Sequence, residues 1–142
     1  MSGKNSFPPE RLDHVGIAVR SLDEALRPYV DGLGLTADST EEVAEERVRV
    51  AFLPVGETRI ELLEPTAEDS PIARFIQRRG EGIHHLCFQV ADLDAALERL
   101  REAGVPLVDE SPRGGAGGSR VAFVHPRGTG GVLIELTEVR ET

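Results

Sequence analysis

Reactive sulfur, long apolar runs and long basic runs are all scarce in this chain. Its 142 residues hold one cysteine, Cys87, which excludes an intrachain disulfide and any multi-cysteine metal site. Cys87 falls in an apolar, strand-like run, where a buried free thiol is ordinary. No apolar run approaches the length of a membrane span or of a signal peptide's hydrophobic segment, so a soluble, cytoplasmic protein with no membrane partner is expected. Sixteen Lys and Arg stand against 25 Asp and Glu, a net charge of −9, and the basic residues never form a run that tracks a phosphate backbone. No nucleic-acid partner is expected. The glycine cluster Gly114, Gly115, Gly117, Gly118 lacks the Lys-Ser/Thr ending of a phosphate-binding loop. The hydrophobic content of 39% suffices for a core. The length fits one compact domain or two fused halves of about 70 residues, each too small to build a large core alone.

What the chain does have is an echo. Asp13-His14-Val15-Gly16-Ile17-Ala18-Val19 returns as His84-His85-Leu86-Cys87-Phe88-Gln89-Val90, and Leu22-Asp23-Glu24-Ala25-Leu26 returns as Leu93-Asp94-Ala95-Ala96-Leu97. The offset is constant, since 85 lies 71 positions beyond 14 and 97 lies 71 beyond 26. A later echo pairs Arg59-Ile60-Glu61-Leu62-Leu63 with Leu133-Ile134-Glu135-Leu136-Thr137. Each half therefore supplies one His early and one Glu late, inside apolar runs where ionisable groups are costly unless paired or bound to a metal. A lone histidine in a strand is ordinarily a hydrogen-bonded core residue, and a lone glutamate a solvent-facing one. Four such groups at equivalent places point instead to a divalent-metal site of His14, Glu61, His85 and Glu135. Neighbouring strand residues face opposite ways, so the repeat register selects His85 and leaves His84 a packing or outer role.

The order of elements follows from local signals. Residues 1–10, with Ser, Gly, Asn and two prolines, read as a flexible lead-in. A strand over 12–19 is followed by a helix opened by the capping box Ser21 and Glu24, kinked at Pro28 and ending near Gly32 to Gly34. A weakly marked strand and the acidic Glu41, Glu42, Glu45, Glu46 precede a strand at 48–53 and the strand holding Glu61. Ser70-Pro71 starts a short linker helix that runs to about Arg79. The second half repeats the order: strand 84–90, a helix capped by Asp92 and stopped by Gly104, then strands near 105–109, 120–124 and 131–138. The expected fold is α+β, with two fused βαβββ modules at about 11–65 and 83–138 in a single domain over 11–138, joined by a linker helix at about 70–80.

This arrangement resembles the vicinal oxygen chelate superfamily, whose halves form a cup-shaped mixed sheet around a metal. Leu12-Asp13-His14-Val15-Gly16-Ile17-Ala18-Val19, Ile60-Glu61-Leu62-Leu63-Glu64-Pro65, Asp69-Ser70-Pro71-Ile72-Ala73, Gly82-Ile83-His84-His85 and Gly117-Gly118-Ser119-Arg120-Val121-Ala122-Phe123-Val124-His125-Pro126 are similar, within it, to the methylmalonyl-CoA epimerase family. The likeness covers roughly residues 12–138. It implies interconversion of (2R)- and (2S)-methylmalonyl-CoA by loss and return of the C2 proton through a metal-stabilised enolate. It further implies one divalent ion per chain, such as cobalt, zinc or manganese, an acyl-CoA substrate that includes ethylmalonyl-CoA as a candidate, and a homodimer. The family's ligands fall on His14, Glu61, His85 and Glu135, with Glu135 also an acid/base group. A second acid/base Glu found in one branch of the family falls here on Val50, which transfers no proton. Glu45, an ordered water or another residue is left to replace it.

Clusters of arginine supply local attraction for an anionic substrate in an acidic protein. Ser119 and Arg120, with Arg113 or Arg127 nearby, are the expected acyl-CoA contacts, while Arg74, Arg78 and Arg79 share a probable helix; solvated surface is the competing reading for each arginine. Other activities of the superfamily, a glyoxalase-type isomerase or a dioxygenase, and a metal-free binding protein of the same fold are the alternatives. A dioxygenase more often uses two His and one carboxylate on iron, and a metal-free binder has no reason to keep all four ligand types.

Overall fold

A computed structural model of the chain describes residues 7–115 and 118–139. Their contacts fall into two compact units, His14–His84 and the remaining described residues. Among the described residues no helix is long and apolar enough to cross a membrane.

The His14–His84 unit is built from β1 (Arg11–Ala18), α1 (Leu22–Arg27), β2 (Ser39–Val43), β3 (Val48–Val55), β4 (Thr58–Pro65) and α2 (Pro71–Arg79). Its strands lie in the order β2-β3-β4-β1, with β1 and β4 parallel and the other neighbours antiparallel. Alternation along the strands sorts side chains to two faces. Ala51, Leu53 and Leu62 pack with Leu22 and the partly buried Leu26 under α1, while Val48, Val50 and Leu63 pack with Ile72, Phe75 and Ile76 of α2. Burying those faces, rather than helix propensity, holds such short helices in place.

The other unit carries β5 (Gly82–Gln89), α3 (Leu93–Glu102), β6 (Arg113–Gly114), β7 (Arg120–Val124) and β8 (Leu133–Glu138), with strand order β5-β8-β7-β6. The two halves repeat each other in register as well as in sequence. Gly16, two residues after His14, pairs with Glu61, and Cys87, two residues after His85, pairs with Glu135. Across the antiparallel neighbour, Glu61 faces Phe52 and Glu135 faces Phe123. Both halves are thus βαβββ, as the sequence suggests, and α+β describes the whole.

The local signals are realised with informative differences. Ser21 Oγ accepts the Glu24 N–H at 3.3 Å, Ser70 Oγ that of Ile72 at 3.1 Å, and Asp92 Oδ1 that of Ala95 at 3.1 Å, so all three expected caps form. Gly104 stops α3 with φ +78°, a left-handed conformation that a β-carbon would oppose. Pro28 does more than kink α1. It ends the α-helix, and the chain continues as a π-helical turn over Pro28–Gly32, in which the Leu33 N–H reaches the Pro28 carbonyl at 3.0 Å. The strand expected near 105–109 is not one: Leu107 makes an isolated bridge to Val124, and the edge strand is the two-residue β6. Pro106 has no N–H to donate, and Asp109 Oδ2 takes the Phe123 N–H at 2.8 Å that a strand carbonyl would otherwise receive. In the glycine-rich stretch, Gly115 donates to the Ser119 carbonyl at 2.9 Å, closing the β6–β7 hairpin, while Ala116 and Gly117 lie outside the described residues. Of the expected lead-in, residues 1–6 also lie outside them. Phe7 lies 4.5 Å from the Arg99 guanidinium, and the Glu10 N–H bonds the Gln89 carbonyl at 2.8 Å.

A second duplicated device fastens each helix to its sheet, and Arg120 is part of it. In the first half Glu64 on β4 accepts the Leu22 N–H of α1 at 3.3 Å and the Arg49 guanidinium of β3 at 3.1 Å. In the second, Glu138 on β8 accepts the Leu93 N–H of α3 and the Arg120 guanidinium of β7, both at 2.9 Å. Arg120 also bonds Asp94 at 2.8 Å. Those carboxylates, Asp94 first and then Glu138, push its pKa up, so the guanidinium is a fixed positive charge. Arg120 is the counterpart of Arg49 in a clamp. Arg120→Ala is expected to destabilise the chain by about 1–3 kcal/mol in urea denaturation, because Glu138 loses a charged donor. Unchanged stability would remove the clamp.

Candidate functional site

Each unit brings its own His and Glu together. In the His14–His84 unit, His14 sits on β1 and Glu61 on the adjacent parallel β4, and strand alternation turns both to the face opposite α1. Both are buried, and His14 Nδ1 lies 3.4 Å from Glu61 Oε2. In the other unit His85 on β5 is buried and Glu135 on β8 partly so, with His85 Nε2 lying 3.5 Å from Glu135 Oε1. The expected four ligands are therefore two His–Glu pairs built by one strand geometry used twice. Imidazole nitrogen and carboxylate oxygen form a donor set that suits a divalent first-row cation, and partly buried carboxylates gain most from one.

Glu61 has a further partner, Arg59, absent from the expected site. Its guanidinium bonds Glu61 Oε2 through Nη2 at 2.8 Å and Nε at 3.2 Å, and Nη2 lies 3.5 Å from His14 Nδ1. The signal was present in the period of two that puts Arg59 and Glu61 on one face of β4. His84 points away from the pair on its own strand and meets Phe75 of α2 edge to face, with ring centroids 4.9 Å apart. That is a packing role.

The remaining expected groups scatter. Val50 is buried in the apolar cluster beneath α2, and the neighbours on its face of β3, Val48 and Phe52, belong to the same cluster. That face of β3 offers no acid or base. Glu45 stands exposed in the tight turn Ala44–Glu46 between β2 and β3. Ser119 sits at the hairpin before β7, and Arg113 lies 5.4 Å from the centre of the Phe123 ring, within 3.5 Å of Asp109. Arg127 is exposed, its backbone N–H bonding His125 Nδ1 at 3.0 Å, and Arg79 lies 5.9 Å from the Phe75 ring centre.

Comparison with known proteins agrees with this geometry. The glyoxalase/bleomycin resistance protein/dioxygenase superfamily matches residues 13–123. The chain belongs to that superfamily. It is 41% identical to the ethylmalonyl-CoA/methylmalonyl-CoA epimerase of Cereibacter sphaeroides, over 91% of this chain and 98% of that one. The crystal structure of methylmalonyl-CoA epimerase from Mycobacterium tuberculosis is similar with a TM-score of 0.82 and 45% identity, over 94% of this chain and 90% of that one. A methylmalonyl-CoA epimerase in complex with methylmalonyl-CoA and NH4+ is similar with a TM-score of 0.81 and 39% identity, covering 92% of this chain and 94% of that chain. The fold expected from the duplication is the fold of this superfamily.

The two adjacent histidines separate the readings cleanly. Titrated with Mn2+, His85→Ala is expected to lose most of the parent's binding, whereas His84→Ala keeps it and loses only packing against Phe75. Equal loss in both would show that the wrong face of β5 has been chosen.

Proposed function

We propose that the chain is a metal-dependent epimerase that interconverts (2R)- and (2S)-methylmalonyl-CoA, with His14, Glu61, His85 and Glu135 together holding one divalent cation. The observation that supports it most is the matched register of the two His–Glu pairs, in a chain about two-fifths identical to epimerases along nearly its whole length. Ethylmalonyl-CoA, named in the Cereibacter relative, is a second substrate on the same reading.

When bound, a divalent cation supplies Lewis-acid stabilisation for the oxygens that become negative as the substrate loses its proton. The side chains do the rest. Glu61, His14 and His85 hold and orient, their imidazoles neutral. Glu135 takes the C2 proton with one carboxylate oxygen and later releases it to solvent, the electron pair of the C–H bond passing into the thioester carbonyl and returning to carbon to form the new C–H bond. Inversion needs a proton delivered to the opposite face of that carbon. Val50 cannot deliver it, so a water or a residue outside β3's inward face does. Ser119 and Arg120, at the hairpin edge, contact the acyl-CoA on this reading. A cytoplasmic homodimer completes the proposal, and light scattering of the purified protein checks the dimer.

Incubation with (2R)-methylmalonyl-CoA in deuterated water is the direct test. Deuterium should enter at C2 and the (2S) form should appear, both should stop when a chelator strips the protein, and both should return with Mn2+ or Co2+. Metal-loaded protein that incorporates nothing would remove the proposal. Metal content should be one ion per chain; two would mean that each His–Glu pair works alone. Glu135→Gln separates ligand from base, because its amide oxygen still coordinates but accepts no proton. It should keep at least part of the metal and lose roughly a hundredfold or more in epimerisation. Near-parental rates would make Glu135 a ligand only.

A further inference from the structure

Asp109 spoils the strand expected near 105–109, and its two oxygens serve a small assembly instead. Oδ2 accepts the Phe123 N–H at 2.8 Å, and Oδ1 lies 3.5 Å from Arg113 Nε. The Arg113 guanidinium stands 5.4 Å from the centre of the partly buried Phe123 ring, within range of a cation–π contact. Register sets this group beside Glu135. Phe123 pairs directly with Glu135, and Arg113 pairs with Val121, two residues before Phe123, so Glu135, Phe123 and Arg113 share the face opposite α3. The first half repeats the frame but not the charge. Asp38 donates its N–H to the Phe52 carbonyl at 2.9 Å, as Asp109 does to that of Phe123 at 3.3 Å, yet opposite Val50, the counterpart of Val121, stands Glu41. Among the described residues Asp109 is the one carboxylate within ion-pair distance of Arg113. A guanidinium carries several N–H donors, and one carboxylate at 3.5 Å satisfies few of them.

We propose that Arg113 is a specificity residue: stacked on Phe123 and braced by Asp109, it binds the carboxylate of the substrate's acyl group. The proposal rests on the function given above. That carboxylate separates a 2-alkylmalonyl thioester from a plain acyl thioester, and it is one bond from the carbon whose proton Glu135 takes. Directly opposed strand residues have Cβ atoms about 5 Å apart, so a guanidinium packed on the ring across from Glu135 stands within reach of a malonyl group held there. The ring supports the guanidinium plane and Asp109 limits its rotation, which lowers the ordering cost of a planar, two-bond grip on a carboxylate. In a chain of net charge −9 the attraction for an anion has to be local, and Arg113 supplies it on the face that carries Glu135.

Two thioesters separate the carboxylate from the rest of the ligand. Racemic methylmalonyl-CoA and propionyl-CoA, which keeps the thioester and every phosphate but lacks the carboxylate, are titrated calorimetrically into Mn2+-loaded protein. In Arg113→Gln, methylmalonyl-CoA should bind about tenfold or more weakly, while propionyl-CoA binds as it does to the parent. Arg113→Lys, which keeps the charge without the fork, should recover part of the loss. Asp109→Asn keeps an oxygen for the Phe123 N–H but no charge for Arg113, and should fall between the parent and Arg113→Gln. Equal weakening of both thioesters would assign Arg113 to the phosphates and overturn the proposal, as would unchanged affinity for methylmalonyl-CoA. Arg113 is exposed, so Arg113→Gln should keep the parent's urea midpoint; a lowered midpoint together with no recovery in Arg113→Lys would make it a packing residue instead. Affinity is read without turnover. A parent that binds methylmalonyl-CoA but never exchanges its C2 proton sinks the proposed function, while the two affinities still judge Arg113; a parent that binds neither thioester removes both.

Discussion

A carboxylate withdrawn from water loses several kcal/mol of hydration unless a cation or donors meet it, and this chain withdraws matched carboxylates of its two halves into or beside apolar strands: Glu61, Glu64, Glu135 and Glu138. How each is answered determines the rest. Glu64 and Glu138 are met by an arginine from the neighbouring strand and the first N–H of a helix, which converts a desolvation cost into the attachment of α1 and α3. Glu61 and Glu135 are each met by a histidine two strand positions from its ladder partner. The first pair of carboxylates stiffens the scaffold that holds the second pair at a fixed height in the sheet.

Much of this was legible because the chain repeats itself. A single His in a strand carries little information, but His14 and His85 at one offset, each followed by a Glu late in its half, define a register that the strand pairing reproduces. Caps were legible for a different reason: Ser21, Ser70 and Asp92 act within three residues, so local sequence contains the whole interaction. The clamp role of Arg120 went unread although the same repeat held it. Arg49 stands 71 positions earlier, Asp23 matches Asp94 and Leu22 matches Leu93, so a clamp shared by both halves was open to view.

The parts that sequence did not disclose depend on partners far along the chain or on competition between donors. Nothing local says that Asp109 will take the Phe123 N–H and spoil a strand over 105–109, or that a helix meeting Pro28 will widen into a π turn rather than bend. Arg59 was hidden by its ordinariness, since an exposed-looking arginine beside a strand glutamate is usually a solvent-facing pair. Only the shared face with His14 gives it significance.

Asymmetry within a duplicated fold is then the chemically interesting quantity. Positions that serve the scaffold stayed alike: Arg49 with Arg120, Phe52 with Phe123, Val50 with Val121. The last of these bears on the reaction, because neither position holds an acid or base, and in the first half Val50 is sealed beneath Ile72, Phe75 and Ile76. A proton-transfer group cannot be inserted there without opening the contact between α2 and the sheet, and a buried carboxylate in that apolar cluster would itself need a new partner. Inversion at a carbon needs two faces served, but it does not need two matched side chains. With β3 committed to packing, the group that serves the second face has to come from solvent or from another element of the fold.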